Sequence, residues 1–191
     1  METTTVPTVY FERPGPQNTE QTLEMARRRA EELGVKTVLV ASTTGETGAR
    51  AVEVFHGLEV VVVTHSTGFR GPNVQELLPE HEAAIRARGG RILTCQHAFG
   101  GVNRAVRKKM GTYLTDEIIA YTLRTFGEGM KVCLEIALMA ADAGQVAVGE
   151  PCIAVAGTGR GADTAVVLTP ANAQSFFDLQ VMEVLAKPRL G

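Results

Sequence analysis

The sequence predicts an α/β protein whose open, mostly parallel sheet carries helices on both faces. Two observations predict it. Short apolar strand candidates alternate with longer segments of helical periodicity. Among the strands, Val60-Val61-Val62-Val63 is apolar at every position, as strands buried on both faces are. The 191 residues fit one domain, 1–191, long enough to bury a sizeable core without disulfides or metal.

Val6 to Phe11 opens the chain as a short strand. Asn18 caps a helix over Thr19–Leu33, with Gln21 at the capping-box position. Leu23, Ala26, Ala30 and Leu33 give that helix one apolar face, and Gly34 stops it. Strands follow at Thr37–Ala41, Glu59–Thr64 and Arg91–Thr94, separated by helices at Gly48–His56 and Pro79–Arg88. Three helices then come in succession, Val102–Lys109, Asp116–Phe126 and Met130–Ala143. Gly127 and Gly129 punctuate the last two. Strands at Cys152–Ala156, Thr164–Leu168 and Leu179–Ala186 complete the chain. No repeat, low-complexity tract or interdomain linker interrupts this order.

Composition narrows the function. Hydrophobic residues make up 45% and charged residues 21%, as in soluble globular proteins. A net charge of −2 gives no basic surface for nucleic acid or anionic lipid. The longest apolar stretch, Val132 to Ala143, is interrupted by Glu135 and Asp142 and is too short to span a membrane. The N-terminus lacks a basic, apolar, small-residue leader pattern. Cys95, Cys133 and Cys152 are single and widely spaced, which argues against zinc and suits a reducing cytoplasm.

In sheets of this kind, ligands bind beyond the carboxyl ends of the strands, where the strand order reverses. The loops at those ends carry the chemistry. After Thr37–Ala41 comes Ser42-Thr43-Thr44-Gly45-Glu46-Thr47, a hydroxyl-rich turn that opens a helix. The first N–H groups of a helix lack internal partners, and its N-terminus carries partial positive charge. Ser42, Thr43, Thr44 and Thr47 add hydroxyls, and Gly45 permits close backbone approach to a ligand or a positive φ. The loop can hold a phosphate by hydrogen bonds alone; an ordinary N-cap is the plainer reading.

The later strands end in Thr64-His65-Ser66-Thr67-Gly68-Phe69, in Cys95-Gln96-His97-Ala98-Phe99 and in Gly157-Thr158-Gly159-Arg160-Gly161-Ala162-Asp163. The opposite ends, Gly34-Val35-Lys36 and Arg88-Gly89-Gly90, carry little chemistry. A strand follows the Gly157–Asp163 run, so it fails the context of a dinucleotide fingerprint. Its N–H groups and Arg160 either face a ligand or belong to a glycine-rich hairpin with an Arg160–Asp163 surface pair. His65 and His97 are ligand contacts, general acid–base groups, metal ligands or, as lone loop histidines more often are, plain polar contacts. Cys95 and His97 have the residue types of a nucleophile–base pair, but their spacing on a strand end need not bring them face to face.

The long helical segment between Arg91–Thr94 and Cys152–Ala156 permits a return across the sheet. Cys152–Ala156 then lies on the other side of Thr37–Ala41, and the loops Ser42–Thr47 and Gly157–Arg160 flank one crevice.

Two resemblances bear on this crevice. The Ser42–Thr47 run looks like the loop with which flavodoxins hold the FMN phosphate. Flavodoxins stack aromatics on the flavin, whereas this chain has no Trp and offers Phe69 and Phe99 in the loops, with Tyr113 beyond them. The second resemblance covers almost the whole chain. Phe11-Glu12-Arg13-Pro14-Gly15-Pro16-Gln17-Asn18-Thr19, the Ser42–Thr47 loop, Val132-Cys133-Leu134-Glu135-Ile136 and Gly157–Ala165 resemble the small stand-alone proteins of the pyruvate kinase C-terminal-domain-like family. That resemblance implies a three-layer α/β/α sandwich, a mostly parallel sheet with an antiparallel edge strand, and homo-oligomers. In pyruvate kinase the corresponding loop receives a phosphate of a sugar-bisphosphate effector; the catalytic barrel has no counterpart in this chain. Stand-alone members are associated with FMN.

The leading expectation is therefore a cytoplasmic FMN-binding protein, with a flavin-dependent oxidoreductase as its catalytic form. Ser42, Thr43, Thr44, Gly45 and Thr47 would hold the phosphate. His65, Gly68, His97, Gly157, Thr158, Gly159 and Arg160 would line the rest. The alternative is a non-catalytic sensor of a phosphorylated metabolite. A phosphate-ester hydrolase ranks behind both, for want of a metal cluster or a convincing nucleophile.

Overall fold

The computed structural model describes residues 3–189. Its strands are β1 (Val9–Phe11), β2 (Thr37–Ala41), β3 (Glu59–Val63), β4 (Arg91–Leu93), β5 (Cys152–Ala156), β6 (Thr164–Thr169) and β7 (Gln180–Pro188). Its α-helices are α1 (Thr19–Leu33), α2 (Glu46–Val54), α3 (Pro79–Ala87), α4 (Val102–Met110), α5 (Thr115–Arg124) and α6 (Glu128–Asp142). The strands form one sheet in the order β1-β7-β6-β5-β2-β3-β4.

Local sequence explains most boundaries. Gly34 ends α1 in the left-handed conformation, at φ 67°, and its N–H bonds to Ala30 and Glu31 carbonyls. Pro79 sits in the first turn of α3, where a missing N–H costs nothing. The start of α1 departs from expectation. Asn18 does not cap it with its side chain, because a 3₁₀ turn over Pro16–Asn18 runs straight into the helix. The Asn18 amide instead donates to the Arg13 carbonyl at 2.8 Å. The first strand is also shorter than predicted, beginning at Val9 rather than Val6.

Alternation along the strands builds two cores. Val38, Val40, Val60, Val62, Ile153 and Val155 pack with α1, α2 and α3 on one face. Leu39, Val61, Val63, Ala154 and Ala156 pack with α5 and α6 on the other. The result is a three-layer sandwich, and burying each such Val or Leu contributes about 1.5–3 kcal/mol. The helix α6 is buried along most of its length, from Gly129 to Ala141.

β2, β3, β4 and β5 run parallel. The antiparallel pairings lie on the other side of the sheet, where β6 pairs with β5 and β7. β7 then pairs parallel with β1. From β2 the chain steps outward to β3 and β4. It returns through α4, α5 and α6 to place β5 against β2, with Val38 beside Ile153 and Val40 beside Val155. The strand order thus reverses between β2 and β5, as the long helical segment predicts.

Candidate functional site at the strand switch point

Ser42–Thr47 leaves the carboxyl end of β2 and becomes the first turn of α2. Ser42 is buried, and its Oγ accepts the Gly48 N–H at 3.0 Å, closing the turn from within. The first helical backbone bond runs from the Ala49 N–H to the Gly45 carbonyl, 2.8 Å. Among the described residues, no protein atom accepts the N–H groups of Thr44, Gly45, Glu46 or Thr47. N–H groups left free at a positive helix end are a general setting for an anion. The Thr44 side chain is exposed and that of Thr43 half-buried.

Gly45 takes the positive φ that its turn position allows a glycine. Its φ is 91°, and a Cβ there would lie 2.6 Å from His81 Cβ and from Leu77 Cδ1. The close neighbour on its Cβ side is the protein. The carbonyl of Thr44 reinforces that contact by accepting from the Leu78 N–H at 3.1 Å, and His81 Nδ1 lies 2.9 Å away.

His65 and His97 are brought together, with ring centres 5.3 Å apart. His65 Nε2 lies 3.3 Å from Thr43 Oγ1, and its Nδ1 lies 2.8 Å from Glu76 Oε2. Burial pushes the His65 pKa down, against the opposing pull of Glu76. Glu76 is held below the usual carboxylate range despite its own burial, by bonds from His65 and Arg70. The Glu76 carboxylate favours the tautomer that donates Nδ1–H to it, which leaves Nε2 to accept from the Thr43 hydroxyl.

His97 is engaged at both nitrogens. Nε2 accepts the Ser66 N–H at 3.3 Å, and Nδ1 faces Glu135 Oε2 at 3.7 Å. Glu135 also accepts the Phe99 N–H at 3.1 Å and pairs with Lys131 one helical turn earlier. Burial opposes the Glu135 charge, but His97 and Lys131 outweigh it and hold its pKa at about 2. Phe69 stacks on His97 at 4.9 Å, and the Arg104 guanidinium lies 4.9 Å over the Phe69 ring. This network fixes the two loops beyond β3 and β4. Cys95 is not paired with His97; burial raises its pKa instead. Gly68 lies in an exposed turn, at φ 89°, closed by its N–H on the Val74 carbonyl. Tyr113 sits apart, edge-on to Tyr121 and under Arg107.

The Gly157–Asp163 loop starts beside Ser42–Thr47, at the end of β5. Its groups turn mostly inward. Asp163 is fully buried; Oδ2 accepts the Gly15 and Thr158 N–H groups at 3.0 and 3.1 Å, and Oδ1 accepts the Thr164 hydroxyl. The Arg160–Asp163 surface pair is therefore not formed. The Ala162 N–H goes to Thr19 Oγ1 at 3.0 Å. A Cβ at Gly157 would meet the Gly161 carbonyl oxygen at 2.4 Å, and one at Gly161 would meet Pro16 Cα at 2.5 Å. The Gly15–Thr19 segment and this loop thus form one packed unit. Gly159 and Arg160 are exposed, and the buried Thr158 Oγ1 has no partner among the described residues.

Sequence reasoning missed Glu76, eleven residues beyond His65 in a loop with no motif. It also missed the tie from Glu135 to His97, although Glu135 interrupts an apolar stretch of the sequence. No group of three or more metal-ligating side chains occurs among the described residues. No helix among them is long and apolar enough to cross a membrane.

The fold is an α/β sandwich whose strand order reverses between β2 and β5. The chain belongs to the pyruvate kinase alpha/beta domain family, whose model matches residues 20–168. Two crystal structures of pyruvate kinase from Cryptosporidium parvum are similar to it. Each is 14% identical, with TM-scores of 0.43 and 0.42 over 80% and 83% of this chain. The chain spans 23% of the length of those enzymes.

Proposed function

We propose that this chain binds a small phosphorylated ligand, FMN in particular, with the phosphate on the N–H groups of Thr44, Gly45, Glu46 and Thr47. One observation carries the reading. Those four donors lack protein acceptors among the described residues and open a nine-residue helix at the switch point of the sheet. The exposed Thr44 hydroxyl and the half-buried Thr43 hydroxyl add donors beside them.

The residues fit the phosphate end of FMN directly. Exposed Phe69, Gly159 and Arg160 and the half-buried His65 would flank the ribityl chain and ring. FMN, when bound, supplies electron-transfer chemistry; the chain's own contribution is to hold the phosphate and orient the ring. The non-catalytic sensor reading uses the same cradle. It is favoured by His97, whose two nitrogens both face protein groups.

The visible spectrum of the purified protein, with FMN titration by fluorescence quenching, tests the proposal. Thr44→Ala removes one donor and weakens binding by about 1–3 kcal/mol. Thr44→Glu sets an anion beside the phosphate and weakens it more. Equal affinities of the two variants at matched ionic strength would argue against an anion in this loop. Self-assembly belongs to the same proposal, and light scattering of the purified protein measures it.

A further inference from the structure

Thr43, His65 and Glu76 form a hydroxyl–imidazole–carboxylate chain. Its links are 3.3 Å from Thr43 Oγ1 to His65 Nε2 and 2.8 Å from His65 Nδ1 to Glu76 Oε2. The order and roles are those of a nucleophile, a general base and the group that orients the base. Three further features agree. Thr43 lies between a strand and a helix, with small residues two positions away on each side, Ala41 and Gly45. That is the placement of a nucleophile on a strand–turn–helix elbow, although φ at Thr43 is not positive as it is at strained elbows. The N–H groups of Thr44 and Gly45 immediately follow it and have no protein acceptor among the described residues. The Thr43 side chain is only half-buried, so a substrate can reach it.

We propose that Thr43, His65 and Glu76 form an acyl-transfer site acting on small carboxylic esters. Thr43 Oγ1 attacks the carbonyl carbon while its proton passes to His65 Nε2. The carbonyl electron pair moves onto oxygen, where the Thr44 and Gly45 N–H groups stabilise it. The tetrahedral centre collapses, the bond to the alcohol oxygen breaks, and His65 returns the proton to that oxygen. Water then repeats the sequence on the Thr43 ester, releasing the acid and regenerating the hydroxyl. The net reaction is ester plus water to acid plus alcohol, with no oxidant or metal required. Acyl transfer is favoured over phosphoryl transfer because the loop carries no cation. Neutral N–H donors suffice for a single developing oxyanion. Glu76 is a positioning residue; it fixes the tautomer and stabilises the imidazolium.

This activity goes beyond phosphate binding and shares its N–H cradle, so the two occupants exclude one another. A fluorophosphonate probe, read by intact mass and peptide mapping, tests it on the whole protein. Wild type is expected to gain one adduct on Thr43, and Thr43→Ser to gain the same adduct faster through its less hindered hydroxyl. Thr43→Ala is expected to gain none. His65→Gln slows labelling by roughly a hundredfold or more, as loss of a general base does. His97 and Arg70 face the His65 ring, and Glu76 opposes them by favouring its charge. The labelling rate of wild type therefore falls as pH drops through the His65 pKa, and Glu76→Gln moves that midpoint lower. An unmoved midpoint would reduce Glu76 to a structural role and overturn its part. Absence of an adduct in both wild type and Thr43→Ser, or an adduct that survives Thr43→Ala, would overturn the site. FMN titration of the same samples separates the two proposals. Labelling without FMN binding refutes the ligand reading alone, and FMN binding without labelling refutes this one alone.

Discussion

The two loops beside the switch point, Ser42–Thr47 and Gly157–Asp163, use their backbones differently. Both are short and set at the carboxyl ends of neighbouring parallel strands; the first is rich in hydroxyls, the second in glycine. In Gly157–Asp163 the Thr158 and Ala162 N–H groups are taken by Asp163 and Thr19, and Gly157 and Gly161 are required by backbone packing. In Ser42–Thr47 one buried hydroxyl closes the turn, and among the described residues no protein atom accepts the N–H groups from Thr43 to Thr47. Glycine content therefore does not identify a ligand loop; the destination of each N–H does.

The sharpest way to break the contrast is Asp163→Ala. It removes the acceptor of two buried N–H groups and one hydroxyl, which should cost on the order of 4 kcal/mol. Urea unfolding measures it, and a loss below about 1 kcal/mol would mean that the loop is not held from inside.

Glu135→Gln ranks next. It leaves Lys131 buried without its partner, at a cost of about 3 kcal/mol near neutral pH. The pH dependence has a definite sign. Glu135 titrates at about 2 when folded, against an ordinary value of 4.5. Its contribution is present above 4.5 and is lost as pH falls toward 2. Wild-type stability should fall across that window, and Glu135→Gln should flatten the fall. Parallel curves for the two proteins would remove Glu135 as its source.

Gly45→Val follows, and it tests the protein-facing side of the cradle. The valine meets Leu77 and His81 at a positive φ, so the fold loses about 2 kcal/mol. Thermal unfolding at unchanged Tm would contradict that packing.

Arg160→Ala is the smallest in stability. Arg160 is exposed and makes no ion pair among the described residues, so unfolding should change by less than about 0.5 kcal/mol. If the proposed FMN reading holds, competition titrations show a larger loss for FMN than for inorganic phosphate. An equal loss for both would move Arg160 to the phosphate.

The sequence disclosed the sheet more readily than the site. Val60–Val63, the glycine stop at Gly34 and the long stretch before Cys152 carry periodicity, turn chemistry and chain length, and these settle element order and the β2–β5 reversal. Residues 19–33, 37–41 and 152–156 fall where pattern alone sets them. The site was legible only where chemistry follows backbone position. Ser42–Thr47 is visible because a strand end and a helix start adjoin there. Asp163 looked like a surface partner of Arg160 because no local pattern shows that Gly15, 148 residues earlier, donates to it. Glu76 and the Leu77–His81 contact on Gly45 depend on how one loop folds over another, and side-chain periodicity does not encode that. The antiparallel turn from β5 into β6 is the glycine-rich hairpin that the sequence offers beside the ligand reading.

The most direct test follows amide N–H signals by two-dimensional NMR while FMN, and separately inorganic phosphate, is titrated into the protein. If the cradle is the phosphate site, the largest saturable shifts fall on Thr44, Gly45, Glu46 and Thr47 with both ligands, and Thr158 and Ala162 move little. Shifts centred on Gly157–Asp163, or none at Thr44–Thr47 at saturating FMN, would contradict it.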